Sequence, residues 1–336
     1  MAKKILAAIF LFIVLFSSFI VTMPILIFSN EFSDFGKIDN FDSYYYTSSN
    51  VSTTEKLNLD IIKGEVKIKY VDPSYDYSVK IDVYVEIAGA KVLGNSYLDY
   101  FDVIWENYSS PLNFTMLYKS GIDPIEVSSL IKNISIVVLL KEDMIFDINT
   151  DLKEGNININ IPFGVSTNNI KVNVERGNIV FDFIYCVIGG NISGSVNVGN
   201  IIFRLYDVQY TRNCFWNLTL GNGDMLIDII QDKDIGANIT GSGEINTGEL
   251  RVLYKDYNPN VGALFIFHSL FGEMGIVEGF REGENEIDEE QWWLSRFLFY
   301  SYGFPGLNYY NISLYRPNNP PDSGYVYNLL NTNNTI

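Results

Sequence analysis

The chain has 336 residues, 47% of them hydrophobic, which is enough to bury a sizeable core as one large domain or two smaller ones and excludes a disordered tail. Its 40 acidic residues against 23 basic ones leave a formal net charge of −17. A field of that sign opposes approach to a phosphate backbone and sets nucleic acid aside as a partner.

Residues 1–4 read MAKK, and an uncharged apolar run from Ile5 to Phe28 follows. As a helix that run would span about 36 Å, enough to cross a hydrocarbon layer of roughly 30 Å with some tilt. Lys3 and Lys4 precede it and the segment after it is net acidic. The positive-inside rule therefore predicts a cytoplasmic tail at 1–4, a single-pass signal anchor at 5–28 in the cell membrane, and a main domain outside the cell. A cleaved secretory signal is the other reading. Against it stand the length of the run and the lack of a small-residue A-x-A-like cleavage site. Both readings export the chain, and residues 29–54 read as a linker.

The phrase LNLDIIKGEVKIKY, residues 57–70, alternates apolar and polar positions on both sides of Gly64 and opens a domain expected over 55–254. An insertion at about 71–145 interrupts it. Within the insertion YSVKIDVYVEI and NISIVVLL read as strands, and the aromatic stretch between them has no clear period.

Beyond the insertion a repeat sets in. Gly155, Gly177, Gly199, Gly221 and Gly243 are spaced 22 residues apart, and the first four are followed by Asn156, Asn178, Asn200 and Asn222. Apolar residues fall two, four and six positions after each glycine: Ile157, Ile159, Ile161; Ile179, Phe181, Phe183; Ile201, Phe203, Leu205. This is the period of a half-buried strand. The fourth copy keeps Met225 and Ile227 in register, whereas Leu250 and Val252 slip by one place, so the array is expected to end there. A second strand precedes each glycine, with Ile148, Ile170, Ile192 and Cys214 seven residues upstream. Each unit thus reads as two short strands and two turns, with Gly-Asn supplying the sharper turn.

An isolated pair of such strands cannot bury its apolar face, so neighbouring units must cover one another. The expected fold is all-β, a parallel β-solenoid of about 22 residues per coil behind the one N-terminal transmembrane helix. Ile157, Ile179 and Ile201 would then stack, Phe181 would touch Phe203, and Asn156, Asn178, Asn200 and Asn222 would form an amide ladder. The alternative makes each Gly-Asn a hairpin turn and the array an antiparallel β-meander or sandwich. The fixed spacing favours equal coils, because hairpin loops are free to vary in length.

The strand, glycine with Asn, Asp or Glu, and alternating Ile/Val strand of residues 56–254 resemble the putative-adhesin domains of bacterial and archaeal cell-surface proteins, a family without an assigned function. The resemblance implies a β-solenoid fold and a place at the cell surface, and it implies no ligand. The insertion and the C-terminal 80 or so residues depart from the family's simple pattern.

Residues 255–336 lose the period and read as a C-terminal cap, since the end of a stacked array exposes an apolar face and an unpaired edge. In the sharper reading Trp292, Trp293, Phe297 and Tyr300, with Phe299, form a ligand-stacking or membrane-interface surface. Sequons at Asn50, Asn107, Asn113, Asn133, Asn191, Asn217, Asn238, Asn311 and Asn333 are candidate glycosylation sites in an exported glycoprotein. Cys186 and Cys214, the only cysteines, are either one disulfide or two buried free thiols.

Enzyme chemistry has little to build on. His268 is the only histidine and sits in an apolar run, and neither a P-loop nor a GxSxG elbow occurs. The acidic run from Glu282 to Glu290 lacks EF-hand spacing and reads as a solvated loop. Asp182 and Asp228, on outward alternations, are the first carboxylates to weigh for a polysaccharide-cleaving alternative. The expectation is a membrane-anchored, extracellular, adhesin-like module with a structural or binding role. It is expected to have no catalysis, cofactor or metal, and its partners would be surface glycans or other cell-surface proteins; a polysaccharide-binding or polysaccharide-cleaving solenoid is the alternative.

Overall fold

In a computed structural model of the protein, the described residues are 36–48, 54–89, 92, 94–108, 110–256, 262–269, 273–278, 295–303, 308–315 and 328–331. The anchor expected at 5–28, Trp292, Trp293, Asn50, Asn333 and the acidic run lie outside them. Among the described residues no helix is long and apolar enough to cross a membrane.

The N-terminal strands are β1 (Lys37–Tyr46), β2 (Thr54–Val71), β3 (Val79–Ala88), β4 (Phe101–Glu106) and β5 (Leu112–Tyr118), followed by the short helix α1 (Pro124–Leu130). The segment expected as linker is therefore corrected in part: its residues 37–46 form strand β1, in which Ile38 is buried. The array is built from β6 (Ile131–Lys141), β7 (Ile145–Ile161), β8 (Ser166–Thr167), β9 (Ile170–Ile184), β10 (Val187–Ile188) and β11 (Ile192–Val198). It continues through β12 (Ile201–Tyr206), β13 (Gln209–Tyr210), β14 (Cys214–Asn222), β15 (Met225–Gln231) and β16 (Ile239–Asp256). Then come β17 (Gly262–Ser269), β18 (Glu273–Glu278), β19 (Ser295–Gly303), β20 (Asn308–Tyr315) and β21 (Asn328–Asn331).

The chain divides into two compact units. The described part of the smaller comprises residues 36–41, 84–101 and 118–134. In it Gly89 N–H donates to the Gly36 carbonyl, Lys37 lies 3.3 Å from Glu86, and the Phe101 and Tyr118 rings stack at 5.3 Å. Asp123 caps α1 through its carboxylate, which accepts from the Ile125 N–H, and Pro124 takes the first helical position where its missing donor does no harm.

The larger unit holds the array. Gly64 pairs with Gly155 and Gly155 with Gly177, and Ile157, Ile179, Ile201, Met225 and Leu250 follow one another as direct partners on successive strands. Every described pairing among β2, β7, β9, β11, β12, β14, β15 and β16 is parallel, not the antiparallel pairing a hairpin meander requires. Two strips result. One carries β11, β14 and the first halves of β7, β9 and β16, and the other carries β12, β15 and the second halves. Because β9 and β16 run through both strips, the strands β9, β11, β14, β16, β15 and β12 make a closed circuit of parallel pairings.

The two-strand unit expected from the sequence is corrected to three. Two-residue strands β8, β10 and β13 pair in parallel as a third strip and bury Thr167, Ile188 and Tyr210. The glycine column is corrected as well. Ile188 pairs with Tyr210 at an offset of 22, but Ile192 pairs with Trp216 at 24, and Cys214 pairs with Ile239 at 25. Two residues enter between Tyr210 and Cys214 and a third between Ile230 and Ile239. The column is therefore Gly155, Gly177, Gly199, Gly223 and Gly248, while Gly221 and Gly243 lie within strip one opposite Asn197 and Leu218. Leu250 and Val252 are in register after all, opposite Met225 and Ile227.

Between the strips lies an apolar core. Ile157, Ile179, Phe181, Ile201 and Phe203 have no exposed surface, and each such side chain contributes about 1.5–3 kcal/mol by leaving water. Rings form a chain from Phe181 to Phe203 at 5.7 Å, Phe203 to Trp216 at 5.0 Å and Trp216 to Tyr310 at 5.6 Å. At the far end β16 pairs antiparallel with β19 over its second half and with β20 over its first, so it does not end as a free edge. Tyr310, Ile312 and Leu314 of β20 are buried.

Candidate functional site

The outward sides of the two long strips differ. Strip one presents polar residues, among them Asn149, Lys171, Ser193 and Asn217 in one column and Asp151, Asn173, Ser195 and Thr219 in the next. Strip two presents Val180, Ile202 and Leu226 on one side and Ile184, Tyr206 and Ile230 on the other, all half-buried, with Asp182, Arg204 and Asp228 between them. The period-two alternation that buries Phe181 and Phe183 forces Asp182 outward, and parallel pairing brings Arg204 and Asp228 alongside. Arg204 Nη1 donates to Asp182 Oδ1 at 2.7 Å, and Tyr206 Oη donates to Asp228 Oδ2 at 2.6 Å. Burial, then the bond to Asp228, pushes the Tyr206 hydroxyl up to about 12. The Asp182 bond raises the Arg204 guanidinium above its ordinary value. Asp182 and Asp228 stand two strands apart, about 10 Å along the strip. Arg204 occupies the space between them, where a glycosidic oxygen and an attacking water would have to sit.

The corner between strips one and two carries the expected amide ladder with one rung changed. Asn178 Nδ2 donates to Asn156 Oδ1 at 2.7 Å and Asn200 Nδ2 to Asn178 Oδ1 at 2.9 Å. The backbone N–H of each of these residues donates to the same oxygen as its side chain. The fourth rung is Asp224 and not Asn222, because of the two extra residues; its N–H donates to Asn200 Oδ1. A second ladder, not read from the sequence, lines the corner between strips three and one. Asn169 donates to Asp147 Oδ1 through both its backbone and side-chain nitrogens, Asn191 N–H donates to Asn169 Oδ1, and Phe215 N–H donates to Asn191 Oδ1. Its signal was the 22-residue spacing of positions 147, 169 and 191.

The third corner, between strips two and three, differs in kind. Tyr185 and Asp207 are opposite each other there with φ of 51° and 50°, the left-handed region that a tyrosine rarely adopts. Asp207 is buried, and its Oδ1 accepts from the N–H groups of Asp232 at 2.5 Å and Lys233 at 3.0 Å. The Lys233 ammonium lies 4.5 Å from the centre of the Tyr185 ring, and Phe163 stands 6.2 Å from that ring on the other neighbour. A few residues further along the same segments a recess of about 280 Å³ is lined by Val187, Gln209, Tyr210, Thr211, Asp234 and Gly236.

The sequence candidates scatter. Cys186 and Cys214 are both buried free thiols, so the disulfide alternative is corrected to the blander one: each packs in the core, and burial pushes Cys186 up to about 12. Among the sequon asparagines Asn133, Asn191 and Asn217 are exposed and Asn107, Asn113 and Asn238 half-buried. Asn107 donates to the Tyr45 carbonyl and Asn113 to Glu106. Asn311 lies in β20, and Phe297 and Tyr300 lie in β19, opposite Tyr254 and Arg251 of β16. His268 lies in β17. Among the described residues no group of three or more His, Cys, Asp or Glu could hold a metal ion.

No family model matches the chain, and no curated protein sequence does. Among solved structures it is similar to a putative cell adhesion protein from Clostridium sporogenes, at 14% identity over 60% of this chain and 76% of that one, with a TM-score of 0.31. A putative adhesin from Parabacteroides merdae is 11% identical over 65% and 92% of the two chains, with a TM-score of 0.25. A putative adhesin from Parabacteroides distasonis is 11% identical over 66% and 96%, with a TM-score of 0.21.

Proposed function

We propose that residues 55–254 form a parallel β-solenoid held outside the cell by the apolar segment at 5–28, and that the protein is an adhesin-like surface module with a structural or binding role and without catalysis. The observation that carries this reading is that the corner amides and the strip-two carboxylates are bonded to the array itself. The corner amides donate and accept between successive units, and the two carboxylates first weighed for hydrolysis are held by Arg204 and Tyr206. Such a surface stiffens a rod, and it denies Asp182 and Asp228 the open gap that hydrolysis between them would need. The run from Ile5 to Phe28 and the lysines before it supply the tether and its orientation.

The test uses the full chain with an epitope added after Ile336. Protease applied to intact cells is expected to remove the epitope, while carbonate extraction leaves the chain in the membrane pellet. An epitope protected until the cells are lysed would overturn the orientation, and release by carbonate would overturn the tether.

A further inference from the structure

The corner of Tyr185 carries a feature that packing does not account for. Phe163 is 74% exposed and Tyr185 42%, so neither ring is placed there by the core. Tyr185 nevertheless holds a left-handed backbone angle that Asn or Gly would adopt with less strain. A bulky residue kept in a strained conformation while half in water points to a use for its ring.

The surroundings hold that ring in place. Tyr185 N–H donates to the Tyr206 carbonyl at 2.7 Å, the Lys233 ammonium sits over the ring, and the loop bearing Lys233 is fastened by the buried Asp207 carboxylate. Val187 lies two residues beyond Tyr185 and Asp234 directly follows Lys233, so near neighbours of that ring and of its ammonium partner line the recess. Its rim brings an amide at Gln209, a hydroxyl at Thr211 and a carboxylate at Asp234.

Apolar rings next to a small recess rimmed by an amide, a hydroxyl and a carboxylate match one ligand chemistry. A sugar ring has a flat C–H face that packs on an aromatic side chain and a periphery of hydroxyls that donate and accept. An anionic ligand would meet Asp234 and a chain of net charge −17, while the Lys233 ammonium is already engaged over the Tyr185 ring. We infer that this corner binds a neutral oligosaccharide, one sugar unit with its C–H face against Phe163 and Tyr185 and a neighbouring unit with its hydroxyls toward Gln209, Thr211 and Asp234. This deepens the surface-module reading, on which it rests for access to saccharides outside the cell.

The test is affinity electrophoresis of the detergent-solubilised full chain through gels containing a neutral β-glucan, mannan or galactan. At least one polysaccharide is expected to retard the protein, and Phe163→Ala and Tyr185→Asn should each weaken apparent affinity tenfold or more. Tyr185→Asn should keep or raise the melting temperature, which separates loss of the ring from loss of the fold. Phe215→Ala, at a ring 60% exposed elsewhere on the array, should leave retardation unchanged. Absence of retardation in all three gels, or equal retardation of wild type and both corner variants, would overturn the proposal. So would a Phe163→Ala change that only converts an oligomer to a monomer. None of those results bears on display outside the cell, which the protease experiment reads separately.

Discussion

Asn178 illustrates why a repeated corner uses amides at some rungs and can take acids at others. Its Nδ2 donates backward to Asn156 while its Oδ1 accepts from two nitrogens of Asn200, so an interior rung must be donor and acceptor at once. A rung that sends no side-chain donor backward has fewer duties. Asp147, the first of its ladder, only accepts, and Asp224 makes its backward bond through its backbone N–H while its Oδ1 accepts forward from the Glu249 N–H. A carboxylate suits both places. Asn178→Asp would set two acceptors, its own carboxylate and Asn156 Oδ1, against each other and should destabilise by about 1–2 kcal/mol. Asp224→Asn should fall within about 0.5 kcal/mol of wild type, because the new Nδ2 faces an acceptor in Asn200. Urea midpoints of the two variants decide, and equal losses would contradict the direction of donation.

At the scale of the strand, the glycine column separates two uses of the same residue. The sequence pointed to Gly177 as a turn former, whereas its φ of +140° lies inside a long strand, and a Cβ there would stand 1.6 Å from the Gly155 carbonyl oxygen. Close approach of successive backbones is what the column provides. Gly164 has φ of +79° and open space where a Cβ would stand, so it serves a turn alone. Gly177→Ala should therefore cost about 3 kcal/mol or more through a backbone clash that no rotamer relieves, and Gly164→Ala only about 1–2 kcal/mol of strain. Thermal melts of the two would expose an error if the losses matched. The inward residues of both long strips were legible, since five or more alternating positions outweigh local noise. The third strip was not, because two-residue strands such as Val187–Ile188 carry no period. Register failed at the fourth unit for a similar reason: in LGNGDMLI the pair Gly221-Asn222 sits two residues ahead of Gly223, and only the pairing of Ile201 with Met225 shows which glycine continues the column. The Tyr185 corner was illegible because Phe163, Tyr185 and Lys233 meet only once strands 22 to 25 residues apart are paired in register.

Across the whole molecule, the buried thiols and tyrosine hydroxyls bias stability in one direction. Burial raises Cys186 from 9.0 to about 12, and it raises the hydroxyls of Tyr70, Tyr210 and Tyr310 above 10.0. Each is an acid that is neutral when protonated, so the folded chain keeps protons that the unfolded chain releases. Above the unfolded value the unfolded state therefore binds fewer protons, and stability falls as pH rises, by up to about 1.4 kcal/mol per pH unit for each group. The contribution of these groups is complete well below pH 9.0, and the two thiols, Cys186 and the likewise raised Cys214, begin the loss before the tyrosines join near 10.0. Cys186→Val keeps a small apolar side chain in the core and removes one of those first protons. The wild type should thus lose stability between pH 9 and 10 more steeply than Cys186→Val by about 1 kcal/mol per unit, with the two curves parallel between pH 7 and 8. Urea unfolding at half-unit steps gives both slopes. Identical slopes would mean that the thiol meets water in the folded chain and that the array is looser around β10 than its packing implies.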